Sequence, residues 1–259
     1  MPSAIITGAS SGIGLALARE LARRGYDLAL VARRAELIHG AAREAEQGGR
    51  RAVAIACDVT DSAAVHAAVN EARARLGALD LAVANAGVSI PNHATKFKLL
   101  EAEQTMRVNY FGMLYLFDAV IPSMIERRAG RFAGVASIAG LRGLPTAGAY
   151  SASKAAMQNF LEAARIELAP YEVGVTIVNP GFVATPMTEK NRFRMPFLME
   201  PDAAARVIAD GLKRGRRVVE FPRPMSLLMR ALRHLPDALY DRATIPYSRR
   251  KVDPEKIKR

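Results

Sequence analysis

Residues 148–157, GAYSASKAAM, place Tyr150 and Lys154 four positions apart. On a helix that spacing puts both side chains on one face. A free phenol titrates at about 10, too high for it to serve well as a base at neutral pH. A nearby ammonium favours the phenolate and lowers that value. The pair could therefore move a proton to or from an oxygen atom while a hydride moves at the attached carbon. It equally fits two polar residues on one side of a helix. Ser137, at the end of an apolar run, is a hydroxyl that could position the same oxygen, or a plain turn serine. The elements around these residues have to decide.

A hydride chemistry needs a carrier, and the N-terminus offers a place for one. TGASSGIG, from Thr7 to Gly14, follows an apolar run and opens a helical pattern. Gly8, Gly12 and Gly14 would let the backbone turn sharply and approach a pyrophosphate at the positive end of that helix. The spacing G-x-x-x-G-x-G differs from the commoner G-x-G-x-x-G. After the second apolar run come Ala32, Arg33 and Arg34. A carboxylate there would suit the ribose 2′-hydroxyl of NAD, whereas a guanidinium suits a 2′-phosphate. NADP(H) is therefore favoured, with Arg33 the first choice and Arg34 beside it. Asp58, at the end of the third run, could accept from the adenine amino group or cap the next helix.

Seven apolar runs alternate with helix-period segments: 3–7, 27–32, 52–57, 79–86, 131–137, 174–180 and 216–221. The helical segments include 13–24, 99–128 and 149–168. Runs that do not alternate suit strands buried on both faces, and strand–helix repetition suits a parallel sheet with right-handed crossovers. The fold class expected is α/β, a single-domain Rossmann-type doubly wound parallel sheet of about seven strands with helices on both faces. The 259 residues suffice for one sizeable core. Cys57 is the one cysteine, so no intramolecular disulfide exists and a reducing, cytoplasmic setting is expected. Neither a secretory signal nor a membrane span is expected. His39, His66, His93 and His234 lack ligand spacing, and no metal site is expected.

Together these residues resemble the short-chain dehydrogenases/reductases. The match is carried by Thr7-Gly8-x-x-x-Gly12-Ile13-Gly14, Asn85-Ala86-Gly87, Asn109, Ser137, Tyr150-x-x-x-Lys154 and Pro180-Gly181, in that order, over residues 3–220. The resemblance implies a catalytic set of Asn109, Ser137, Tyr150 and Lys154. Tyr150 would be the acid/base, Ser137 the positioner, Lys154 the cation that holds the nicotinamide ribose, and Asn109 the holder of a water. It further implies that the cofactor is lined by Gly8, Ser10, Ser11, Gly12, Ile13, Gly14, Arg33, Arg34, Asp58, Val59, Asn85, Ala86, Gly87, Pro180, Gly181, Val183 and Thr185, with Tyr150 and Lys154. A homodimer or homotetramer is implied as well. One departure is Ala84, where the family often has a second asparagine.

The substrate side is assigned to Ser89, Ile138, Leu144, Met187 and Phe193, with Ser137 and Tyr150. Segment 186–199 would form a lid, whose apolar and methionine side chains suit a hydrophobic carbonyl or alcohol. Lys190, Arg192 and Arg194 would suit an anionic head group. Residues 1–220 are read as the catalytic domain and 221–259 as a basic, partly amphipathic extension. Residues 1–189 hold 19 Lys and Arg against 17 Asp and Glu, while 190–259 hold 18 against 8. Such a tail could pack on the domain, on a second subunit, or on an anionic membrane through 221–240; packing or covering the pocket is the favoured reading. No nucleic-acid partner is expected. The leading function is an NADP(H)-dependent carbonyl reductase or alcohol dehydrogenase acting on a small molecule. The alternatives are a reductase of carrier-linked acyl chains and a non-catalytic dinucleotide sensor.

Overall fold

A computed structural model describes residues 1–189, 191 and 194–251. Seven strands form one parallel sheet: β1 (Ser3–Thr7), β2 (Asp27–Ala32), β3 (Ala52–Ala56), β4 (Leu81–Ala84), β5 (Arg131–Val135), β6 (Gly174–Pro180) and β7 (Val218–Phe221). Their spatial order is β3-β2-β1-β4-β5-β6-β7, and every pairing is parallel. The order reverses between β1 and β4, the switch point at which ligands bind in open α/β sheets.

The helices cover both faces because the strands present apolar side chains to both. On one face α1 (Gly12–Arg23), α2 (Ala35–Gln47) and α7 (Pro201–Lys213) enclose a core that includes Ile6, Leu17, Leu30, Val83 and Ile208. On the other, α3 (Ser62–Leu76), α4 (Leu99–Met106), α5 (Gly112–Arg127) and α6 (Gly148–Leu168) pack over Ile5, Val69, Leu116, Phe132 and Leu161. The ring of Phe132 meets that of Phe117 edge-on, with centroids 5.1 Å apart. Beyond β7 the chain forms α8 (Arg223–His234) and α9 (Asp237–Lys251).

Three strands stop earlier than their apolar runs suggest, and the reason lies at the carboxyl edge. β4 ends at Ala84 because the Asn85 and Ala86 amides leave the ladder and donate to Thr7 Oγ1 at 3.1 and 3.2 Å. β5 ends at Val135, after which Ser137 caps a short 3₁₀ turn, Ile138–Gly140. β3 ends at Ala56, one residue short. The helix expected over 99–128 is interrupted by a π turn at Arg107–Phe111, a device found often at functional sites. Contrary to expectation, Leu99–Arg127 is long and apolar enough by composition to cross a membrane. Half of its most apolar window is buried inside the fold, which accounts for that composition. Phe132→Ala is expected to lower stability by about 3–5 kcal/mol in urea unfolding, as removal of a fully buried aromatic ring does. A loss below ~1 kcal/mol would contradict this core assignment.

Candidate active site

The glycine turn joins β1 to α1. Gly8 and Gly12 have φ of 68° and 57°, a region that side chains disfavour. A Cβ on Gly8 would lie 2.7 Å from Ala86 Cα, and one on Gly14 would strike the Gly8 carbonyl. The turn is held against β4 by Asn85, whose Nδ2 donates to the Thr7 and Gly8 carbonyls at 3.0 and 3.1 Å. Ser11, at the start of α1, makes no side-chain cap. Backbone N–H groups of the first turn, at the positive end of the helix, thus suit an anion such as a pyrophosphate. Arg34 donates to Ser10 Oγ and Ser11 Oγ at 3.1 and 3.2 Å, which places its cation over the same turn. Arg33 lies 3.9 Å from Asp58 and is largely exposed. Asp58 accepts from the Thr60 amide and hydroxyl, and the cap of α3 is Asp61, so the capping alternative for Asp58 falls.

Tyr150 enters from the first turn of α6, and Lys154 follows one turn later. The Lys154 side chain runs inward. Its Nζ donates to the Val135 carbonyl at 2.8 Å and lies 5.8 Å from the Tyr150 ring centroid. Burial without a paired carboxylate pulls the Lys154 ammonium down to about 7. Burial also raises the Tyr150 phenol, against which the Ser137 side chain works as a hydrogen-bond partner. Ser137 Oγ accepts from the Ala139 amide at 3.1 Å and faces the Pro180 carbonyl at 3.4 Å. A half-buried phenol, a cation and an oriented hydroxyl thus converge at the carboxyl edge of β5. That set can give a proton to an oxygen or take one from it.

Asn109 lies behind this group, fully buried in the π turn. Its Oδ1 accepts from the Val88 amide at 2.7 Å, and its Nδ2 donates to the Val88 carbonyl and Ser153 Oγ. The extra residue of the π turn aims this amide at the strand-edge backbone that follows Gly87. A Cβ on Gly87 would lie 3.3 Å from Asn109 Oδ1 and 3.5 Å from Lys154 Nζ, so glycine leaves those groups room.

One cleft of about 1840 Å³ runs along the carboxyl edge. Every cofactor residue anticipated from the sequence except Gly14 lines it, as do Ser137, Tyr150 and Lys154. Gly14 packs against the turn, and Asn109 stands one layer back. Ser89, Ile138, Leu144 and Met187 line the cleft too. Phe193 lies outside the described residues, as do Lys190 and Arg192. Sequence reasoning missed Phe182, Ala243 and Thr244, and it read Met225, Leu228 and Met229 as part of a helical stripe that packs on the domain or covers the pocket. The helical spacing of that stripe was the available signal. Cys57 also reaches the wall, but burial and then the charges of Asp58 and Asp61 push its thiol up to about 11, so it stays protonated.

A family model described as short chain dehydrogenase matches residues 2–195. An uncharacterized oxidoreductase of Myxococcus xanthus is 39% identical over 93% of this chain and 95% of its own. A fatty acyl-CoA reductase of Acinetobacter baylyi is 33% identical over 83% of this chain and 74% of its own. Among solved structures, an alcohol dehydrogenase of Thermococcus sibiricus complexed with 5-hydroxy-NADP superimposes with a TM-score of 0.78. It is 30% identical, with 85% of this chain and 95% of that one covered.

The lowered value of Lys154 has a measurable consequence in the protein without cofactor. The unfolded chain keeps its lysine proton up to about 10.5, whereas the folded protein loses it from about 7. The unfolded state therefore binds more protons between those values, so Lys154 is destabilising at pH 7 and the penalty fades as pH rises. Lys154→Met is expected to exceed the wild type in stability at pH 7, with the gap narrowing towards pH 10 in urea unfolding. A gap that does not change with pH would refute this charge state.

Proposed function

Because the chain belongs to the short-chain dehydrogenase family, we propose that it is an NADP(H)-dependent oxidoreductase that interconverts a carbonyl and a secondary alcohol on an apolar small molecule. The observation that carries the reading is the convergence of Ser137, Tyr150 and Lys154 on one cleft with the glycine turn. The bound nicotinamide would supply or accept a hydride at the substrate carbon. Gly8, Gly12 and the first turn of α1 would hold its pyrophosphate, and Arg33 and Arg34 its 2′-phosphate. That the alcohol dehydrogenase of Thermococcus sibiricus is complexed with 5-hydroxy-NADP supports that choice of cofactor.

In the reductive direction Tyr150 gives its phenolic proton to the carbonyl oxygen as carbon accepts hydride. Ser137 donates a hydrogen bond to the same oxygen and fixes its position. Lys154, when charged, stabilises the tyrosinate left behind. Burial raises the phenol here, against the lowering expected from a neighbouring ammonium, so that lowering would depend on Lys154 being charged. Asn109 locks the Val88 backbone and leaves Lys154 its room, a positioning part that its hydrogen bonds support. A homodimer or homotetramer is part of the proposal, supported by exposed Leu99, Leu100, Phe111 and Ile166 on the α4–α6 face.

A second reading, reduction of an activated or carrier-linked acyl chain, draws on two observations. One relative is named a fatty acyl-CoA reductase. Lys96 and Lys98 also line the cleft, the latter paired with Glu101 at 3.0 Å, and would meet an anionic carrier. A panel of ketones, aldehydes and acyl thioesters followed by NADPH absorbance, with NADH as the control, separates the two. Tyr150→Phe is expected to cut turnover by about 100-fold or more while NADPH still binds. Near-normal turnover in that variant would end the acid/base assignment. Arg33→Ala combined with Arg34→Ala is expected to raise the KM for NADPH at least about tenfold and leave that for NADH nearly unchanged, the selectivity expected of lost phosphate pairs. Equal effects on both cofactors would remove the arginines from cofactor choice.

A further inference from the structure

A third, smaller apolar cluster lies apart from the two main cores. It gathers Ile138, Met225 and Met229, with Leu141, Phe182 and Leu232 packed against it. With Leu144 the cluster has seven residues, four from the segments that follow Ser137 and Pro180 and three from α8. The same helix turns Met225, Leu228 and Met229 into the cleft, and α9 adds Thr244. The apolar end of the cleft therefore has a wall made by the C-terminal helices.

One side chain joins both helices of that wall to the loop after Ser137. Arg142 stands five residues after Ser137, and only 14% of its side chain is exposed. Nη1 of its guanidinium faces the carbonyls of Leu232, Arg233 and Leu235 at 2.7, 3.1 and 2.6 Å, with its two hydrogens shared among the three. Leu232 and Arg233 lie in the last turn of α8 and Leu235 just beyond it, where the helix dipole favours a cation. The same group pairs with Asp237 at 2.7 Å, in the first turn of α9. It also lies 4.1 Å from the centre of the Tyr240 ring, and Tyr240 Oη returns a hydrogen bond to the Gly143 carbonyl at 2.6 Å. A planar fork that grips three carbonyls, a carboxylate and a ring face is specific to arginine. It ties the loop after Ser137 to both helices at once.

We propose that Arg142 is a positioning residue that latches α8 and α9 over the substrate end of the cleft, so that Met225, Leu228 and Met229 bind the distal part of an elongated apolar carbonyl compound. The reaction at Tyr150 rests on the function proposed above; the wall and its latch require only that the ligand binds. Methionine suits the task because its unbranched, polarisable side chain adapts to chains of differing shape. A short ketone would reach Ser137 and Tyr150 without touching α8, so the latch discriminates by length.

The test compares 2-nonanone with 2-butanone, both by NADPH-linked turnover and by calorimetric titration of 2-nonanone into protein saturated with NADP⁺. Arg142→Ala is expected to raise the KM and Kd for 2-nonanone about tenfold, the scale of roughly two methylene groups losing burial. The kcat/KM for 2-butanone should stay within about twofold. Arg142→Lys should recover part of the loss, since it returns the cation but not the fork. Met229→Ala leaves the latch intact and should weaken 2-nonanone binding to a similar degree, which decides the matter if Arg142→Ala does not fold. Equal losses for both ketones would assign Arg142 to the Ser137 loop instead and overturn the proposal. So would unchanged 2-nonanone binding in Arg142→Ala or Met229→Ala. A wild type that binds 2-nonanone but reduces neither ketone would defeat the proposed reaction, and the titrations would still decide the latch.

Discussion

The buried ammonium of Lys154 is the constraint from which the rest of the site follows. A charged group taken out of water needs compensation, and no carboxylate supplies it here. What it has is the Val135 carbonyl at the end of β5, the softer Met157 sulfur at 3.5 Å, and space left by a missing side chain at Gly87. The folded protein answers the remaining cost by releasing the proton more readily. A phenolate at Tyr150, or an anionic ligand in the cleft, would reverse that preference. Two groups that are each unfavourable when charged alone would become favourable when charged together, and this is the electrostatic basis of the proposed proton exchange.

The sheet exists, in functional terms, to bring this pair to the glycine turn. β1 and β4 are neighbours in space although they are far apart in the chain, and their ends are sewn together by Thr7 and Asn85. Ser137 leaves β5 next to them. The same switch of strand order that opens a crevice also supplies the residues at its edge. Asn109 shows how a helix is bent to this purpose. One extra residue in a π turn gives its amide a two-way bond with the backbone at Val88, and so the floor beneath Lys154 is fixed.

This half of the molecule was legible in the sequence because backbone constraints write strongly into residue type. Glycines with positive φ, strands buried on both faces, and a tyrosine–lysine pair one helical turn apart each leave a local mark. Strand ends were less legible: Ser137 and Asn85 belong to apolar runs by composition, yet side-chain caps and cross-strand bonds draw them out of the ladder. The π turn left no mark at all, since its cause is a contact with Val88 across the sheet edge. α7 and most of α9 escaped as well. α9 mixes polar and apolar residues without a clear stripe, so its order comes from Arg142 and Tyr240 rather than from its own periodicity.

The C-terminal helices follow a different logic from the reacting end. At the proposed reacting end a shift of an ångström would misplace a proton, and Ser137 and Lys154 are pinned by bonds to the backbone. At α8 the contacts are methionine and leucine, which tolerate shift and respond to volume. The two ends are joined through the short stretch from Ser137 to Leu144, which caps a turn at one end and anchors the tail at the other. A loop so placed lets the rigid end stay constant while the adaptable end is exchanged. The residues that decide the reaction can then be read in isolation, whereas those that decide the substrate acquire meaning only once Arg142 has drawn the tail onto the cleft.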